Sequence, residues 1–195
     1  MKTLYQEKLV PELQKKLGLK NPMAVPCLVK VKLNIGTGGI VKTGEKNVDQ
    51  VIDNLTRLSG QKPVITRAKQ AISNFKLREQ QEVGLAVTLR GKRMYDFVNR
   101  LANIVLPRIR DFRGISAKGF DGKGNYSLGL KEVTVFPEVN PDTLSRNHGL
   151  QVTIVTSAKD DEHGFALLKS MGFPFRDQPK GMAKDQSPEE SIPAS

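Results

Sequence analysis

The sequence predicts a two-layer α+β fold: a mostly antiparallel sheet with helices on one face, an open opposite face and long basic loops. Three observations carry this. Two stretches alternate strictly between apolar and polar residues, the mark of strands with one dry and one wet face. Four others carry apolar residues at helical spacing. Strands and helices also follow one another without the even spacing of a parallel, doubly wound sheet.

Taken in order, Tyr5, Leu9, Leu13 and Leu17 recur every four residues and predict an amphipathic N-terminal helix, made imperfect by Pro11. Next, Val29, Val31, Leu33 and Ile35 face one way and Lys30, Lys32 and Asn34 the other: a strand ending in Gly36, Thr37, Gly38 and Gly39. Val48, Val51, Ile52, Leu55 and Leu58 predict a second helix, capped by Asn47 and stopped at Gly60. Residues 63–66 form a short β candidate. Alternation then returns, with Val83, Leu85, Val87 and Leu89 inward and Thr88 and Arg90 outward. Met94, Phe97, Val98, Leu101, Ile104 and Val105 predict a third helix ended by Pro107. Residues 132–136 and 150–156 read as two more strands, and 162–171 as a last helix closed by Gly172.

The sheet face carrying Lys30, Lys32, Asn34, Thr88 and Arg90 is thereby left for a partner. Composition says what kind. The formal net charge is +11 over 195 residues, which draws a protein to polyanions. The charge is unevenly placed: residues 1–131 hold 25 Lys and Arg against 10 Asp and Glu, and residues 132–195 hold 6 against 10. This predicts a basic binding face on the first two thirds and a different neighbour for the rest.

Residues 107–130 are the most telling segment, with Arg108, Arg110, Arg113, Lys118 and Lys123 beside Phe112, Phe120 and Tyr126 and no apolar repeat of either period. A loop that long is uncommon in a compact domain. The basic residues predict a phosphate-bearing partner, and the aromatics a loop ordered by nucleic acid. The chain is expected to form one domain over 1–177, followed by a disordered tail over 178–195, rich in Pro, Ser and charge. No apolar run or N-terminal pattern suggests a membrane span or signal peptide, and the single Cys27 fits a reducing compartment, so a cytoplasmic protein is expected.

No catalytic, metal or cofactor motif is complete in the sequence. The run at Gly36 lacks the third glycine of a dinucleotide loop, since Val41 stands there, and Glu45 occupies the position where a phosphate loop needs lysine. His148 and His163 have no second ligand at helical spacing, so no metal is expected, and no third group supports a Cys27–His pair. Asp160, Asp161 and Glu162 are read as answering the positive end of a helix. No cofactor and no enzymatic activity are expected.

Several motifs are specific enough to carry a resemblance. LSGQKPVITRAKQAIS at 58–73 closely resembles the signature of the bacterial large-subunit ribosomal protein family, number five of its series, that carries 5S rRNA. NIGTG at 34–38, VTLRGKRM at 87–94, PRIRDFRG at 107–114, FDGKGNYSLG at 120–129 and GFPFR at 172–176 follow in the family's order. The tail beyond this departs from the pattern. The resemblance implies a structural constituent of the large subunit that binds 5S rRNA and helps attach it to the central protuberance. It also implies contact with P-site tRNA and an intersubunit bridge to a small-subunit head protein.

Carried over by motif, Asn34, Gly36, Gln61, Lys62, Thr66, Arg67, Lys69, Thr88, Arg90 and Arg93 are expected against 5S rRNA, joined on the strand face by Lys30 and Lys32. Lys and Arg attract phosphates, while Asn34, Gln61, Thr66 and Thr88 suit 2′-hydroxyls and base edges. The loop with Asn74, Lys76 and Arg78 is expected to reach tRNA. Arg108, Arg110, Arg113, Lys118 and Lys123 are assigned to 23S rRNA or a neighbouring central-protuberance protein, and residues 136–146 to the bridge. A free regulatory RNA-binding module could share the basic sheet, and only its location would tell the two apart.

Overall fold

The computed structural model describes residues 3, 5–37, 48–141 and 147–176. The proposed cap Asn47, the glycines after Thr37, Glu45, part of the bridge segment and the 178–195 tail lie outside the described residues.

Among the described residues, five strands form one sheet: β1 (Leu28–Gly36), β2 (Val64–Arg67), β3 (Glu82–Leu89), β4 (Tyr126–Leu130) and β5 (Leu150–Thr156), in the order β2-β3-β1-β5-β4. Every pairing is antiparallel. Four helices accompany it: α1 (Val10–Lys16), α2 (Val48–Ser59), α3 (Gly91–Arg100) and α4 (Asp161–Ser170). The alternation predicts which side they cover. Val31, Leu33, Ile35, Leu85, Leu89, Val152 and Ile154 are buried and share one hydrophobic cluster with Leu13, Leu55, Phe97, Leu101 and Leu168 of the helical segments. Each such side chain contributes roughly 1.5–3 kcal/mol by leaving water. Helices therefore back one sheet face, and the fold is the α+β class that the sequence predicts.

Both amphipathic helices with an awkward proline solve it the same way. A wide π turn, Tyr5–Leu9, precedes α1, and another, Leu101–Val105, follows α3 and leads into Leu106–Arg108. Pro11 and Pro107 then fall in the first turn of the segment that follows, where a helix needs no N–H from that residue. Pro107 thus does not end the third helix, which runs on to Arg108. The wide turn also rotates the buried face, so that Ile104 is 43% exposed while Leu106 is fully buried.

Three further expectations are corrected. Val29 does not face inward: the β1–β5 register shifts between Leu28 and Lys30, a bulge that buries Leu28 and leaves Val29 44% exposed. Residues 132–136 are not a strand but contain a 3₁₀ turn, Val133–Val135, whose Val133 N–H donates to the His148 carbonyl. The strand lies earlier, as β4, at the end of the segment read as aperiodic. There Tyr126, Leu128 and Leu130 do alternate with Ser127 and Gly129.

The basic loop before β4 is tied to the body of the protein by its aromatics. Phe120 lies 4.8 Å from Tyr126 and 6.0 Å from Phe175 between ring centroids, and Phe165 lies 4.7 Å from Phe175. Its aromatics are spent inside the protein, each such pair adding about 0.5–1.5 kcal/mol beyond area burial. Ile115 and Arg176 close the same region through backbone bonds, Ile115 N–H to Pro174 O at 2.8 Å and Arg176 N–H to Ile115 O at 2.9 Å.

Candidate nucleic-acid interface

Antiparallel register places residues directly opposite one another on one face. Lys32 stands between Thr88 of β3 and Thr153 of β5, and Thr153 is in turn opposite Ser127 of β4. Asn34 stands between Ala86 and Gln151, with Gly129 beyond. Ala86 faces Val64 and Gly84 faces Thr66 on β2. These residues form the uncovered side of the sheet, with Lys32, Asn34, Thr66, Ser127 and Gln151 exposed. A shallow depression of about 420 Å³ opens among Lys32, Asn34, Thr88, Gln151 and Thr153.

The structure thus brings Lys30, Lys32, Asn34, Gly36, Thr66 and Thr88 onto one surface. Gly84 keeps it flat, since a Cβ there would stand 2.8 Å from the Ile35 carbonyl oxygen and 3.1 Å from Thr66 Oγ1. Arg90, at the N-terminal boundary of α3, and Arg93, in its first turn, are exposed at the β3 end of this surface. Lys62 and Lys69 are exposed on either side of β2.

Three members of the set, Gln61, Arg93 and Arg67, are already engaged. Gln61 Nε2 donates to the Thr88 carbonyl at 3.0 Å, while Arg93 Nη1 donates to Gln61 Oε1 at 3.5 Å. The amide therefore ties the chain entering β2 to the end of β3 and steadies an arginine. Arg67 Nη2 lies 3.7 Å from Glu82 Oε1 across the β2–β3 bulge, so part of its charge is answered within the protein. By contrast, Asn34 has no side-chain hydrogen bond among the described residues.

Beyond β2 the hairpin continues outward. Ala68 N–H donates to Gln81 O at 2.9 Å, and Ile72 and Leu77 exchange backbone bonds at 3.0 and 3.1 Å. At the tip, Ser73–Phe75 form a 3₁₀ turn closed by Lys76 at φ 52°. Asn74, Lys76 and Arg78 are all exposed there, and so is Phe75 at 64%. Tip and sheet face are continuous through β2 and β3.

Lys118 and Lys123 are exposed in a loop whose acidic groups serve its backbone. The Asp161 carboxylate accepts from Gly122 N–H at 3.1 Å and Gly124 N–H at 2.9 Å, a role beyond the helix-end charge read from the sequence. Asp121 is held below the ordinary aspartate range, first by the Asn125 amide at 2.8 Å and then by the Lys123 and Asn125 N–H groups, against the opposing effect of burial. Arg108, Arg110 and Arg113 are exposed at the far end of the same segment. Arg108 and Arg110 line a second open groove, of about 370 Å³, with Lys131 and Glu132.

Sequence reasoning missed Ser127, Gln151 and Thr153. The signal was present: residues 150–156 alternate, with Val152 and Ile154 buried and Gln151 on the other side. Ser127 carries no such signal, because the glycines around it dilute the alternation of β4.

A basic α+β protein with one sheet face covered and the other polar, cationic and flat has the build of an RNA-binding scaffold. Comparison with known proteins gives this class its family. The model described as "Ribosomal protein L5" matches residues 21–78, and the model of the same ribosomal family's C-terminus matches residues 82–175. "Large ribosomal subunit protein uL5" of Anaeromyxobacter sp. (strain K) is 51% identical over 176 residues, covering 90% of this chain and 97% of the relative. The protein of the same name from Geotalea daltonii is 53% identical over 173 residues, covering 89% and 96%. That from Psychrobacter arcticus is 51% identical over 176 residues, covering 90% and 98%. The chain belongs to the uL5 family of large ribosomal subunit proteins. It is a structural constituent of the ribosome and not an enzyme.

Proposed function

We propose that the uncovered sheet face binds 5S rRNA and helps fix it in the central protuberance of the large subunit. The observation that carries this reading is the juxtaposition of Lys30, Lys32, Asn34 and Thr88 on one surface that no helix among the described residues covers. The ammonium groups attract phosphates, and the neutral groups suit 2′-hydroxyls and base edges, so shape governs recognition. Gln61 acts by holding Arg93 and the β3 end in place. Lys62, Thr66, Arg67, Lys69 and Arg90 extend the contact around β2 and the start of α3.

The outward hairpin with Asn74, Lys76 and Arg78 reaches P-site tRNA; its exposed, cationic tip beyond the sheet supports this. The exposed cations of 108–123 meet 23S rRNA or a neighbouring ribosomal protein, and residues 136–146 approach a small-subunit head protein. One hydrophobic cluster, drawing on residues from Tyr5 to Phe173, supports reading 1–177 as one domain.

A gel-shift titration tests the principal reading. The chain is expected to bind 5S rRNA at concentrations at which an unrelated RNA of equal length stays free. Equal affinity for both would refute it.

A further inference from the structure

We propose that the β5–β4 half of the open face, through Gln151, Thr153 and Ser127, recognises ribose 2′-hydroxyls of the RNA beyond those that Asn34 and Thr88 meet. This rests on the 5S rRNA reading and extends hydroxyl recognition to residues outside the set that the motifs supply.

The argument begins with register. Thr88, Lys32, Thr153 and Ser127 stand opposite one another on four neighbouring strands and make a lateral row. Strands lie about 4.8 Å apart, so the row spans about 14 Å. Asn34 and Gln151 form a second row one pleat away, flanked by Ala86 and Gly129, which add almost no bulk. The β3–β1 side of this lattice holds the cations Lys30 and Lys32 beside the neutral Asn34 and Thr88. The β5–β4 side presents Gln151, Thr153 and Ser127, neutral donors and acceptors.

The two halves are suited to different parts of one RNA strand. A phosphate is recognised by charge, and its neutralisation releases counterions. A 2′-hydroxyl is both donor and acceptor, and it is what lets a protein tell RNA from DNA. Ser127 Oγ and Thr153 Oγ1 are 3.3 Å apart. When one hydroxyl donates to the other, the accepting group keeps its own O–H free to donate, and both keep lone pairs. The pair therefore offers what a 2′-hydroxyl needs, beside the depression that Thr153 and Gln151 share with Lys32 and Asn34.

The test uses the full chain and 5S rRNA carrying 2′-deoxynucleotides at random, with selection of the bound fraction and mapping of the positions where the missing hydroxyl interferes. Wild type is expected to show a short cluster of interfering positions. Thr153→Val, which keeps the β-branched shape, should erase interference at some of them and weaken binding roughly two- to tenfold, the range one neutral hydrogen bond supplies. Ser127→Ala serves as a second variant, and Lys32→Ala should weaken binding and flatten its salt dependence while leaving the cluster in place. An unchanged cluster in both Thr153→Val and Ser127→Ala, with Lys32→Ala still weakening binding, would overturn this inference alone. Loss of any preference for 5S rRNA in wild type would overturn the underlying reading as well.

Discussion

Gly164 of α4 packs so closely on Gly124 that a Cβ at position 164 would lie 2.6 Å from the Gly124 carbonyl oxygen. Thr156 Oγ1 donates to that same carbonyl at 2.7 Å, and Asp161 holds the Gly124 N–H. The glycine loop is thus locked against the first turns of a helix. Gly164→Ala would ordinarily gain about 1 kcal/mol of helix propensity. Here the overlap with backbone prevails, and a net loss of about 1–3 kcal/mol is expected. Denaturant unfolding checks this: a stabilised variant would show that the two backbones are further apart.

Acid should loosen the same loop through Asp121. Its folded titration lies below the ordinary aspartate range. The carboxylate therefore contributes stability above about pH 4 and loses it as pH falls through the folded value. Asp121→Asn should be less stable than wild type at neutral pH, and the difference should shrink on acidification. Unfolding curves at neutral pH and at about pH 3 make the comparison; a constant difference would contradict it.

Alkali should act through Tyr126, whose hydroxyl is pushed up to about 12 by burial and donates to the Ser116 carbonyl at 2.9 Å. A group raised in the fold stabilises it fully below its unfolded value, near pH 10, and loses that contribution as pH climbs towards 12. Tyr126→Phe is expected to cost about 0.5–1.5 kcal/mol at neutral pH. It should also reduce, without abolishing, the alkaline loss, because burial raises Tyr5 and Tyr95 too. Thermal melts at neutral pH and at about pH 11 test both parts.

RNA binding should separate charge from shape. Lys69→Ala is expected to lower the salt slope for 5S rRNA by roughly 0.7–0.9, the share of one phosphate, whereas Asn34→Ala should weaken binding with little change in slope. Arg67→Ala should change the slope less than Lys69→Ala, because Glu82 already faces Arg67. Affinities measured across a salt series decide this, and equal slopes for all three variants would contradict it.

How much of this was legible in the sequence depended on whether local pattern or distant packing decided the outcome. Leu33, Lys32 and Asn34 on β1, and Leu85, Val87 and Thr88 on β3, could be placed by alternation because one face of each strand is dry. Val29 could not, since its bulge is set by where β5 pairs. Glycines and a serine dilute the alternation of Tyr126, Leu128 and Leu130, so the sequence presents β4 as loop. The wide turn before Pro107 left no local signal, because its bonds differ from an ordinary helix only in frame. The basic face was legible from residue types, but its extension to Gln151 and Thr153 required the strand order. Gln61 could be named for the site from its motif; its bond to the Thr88 carbonyl joins residues 27 apart in sequence and was not readable.

A pair of double variants with the same change in charge measures whether the sheet face, rather than overall basicity, grips the RNA. Lys30→Ala with Lys32→Ala removes two charges from the open face, and Lys15→Ala with Lys16→Ala removes two from the last turn of α1. Titrated against 5S rRNA at one ionic strength, the first pair should weaken binding roughly tenfold or more and the second only a few fold. Equal losses would mean that any cluster of positive charge on this molecule serves as well, and that the sheet face has no special part in holding RNA.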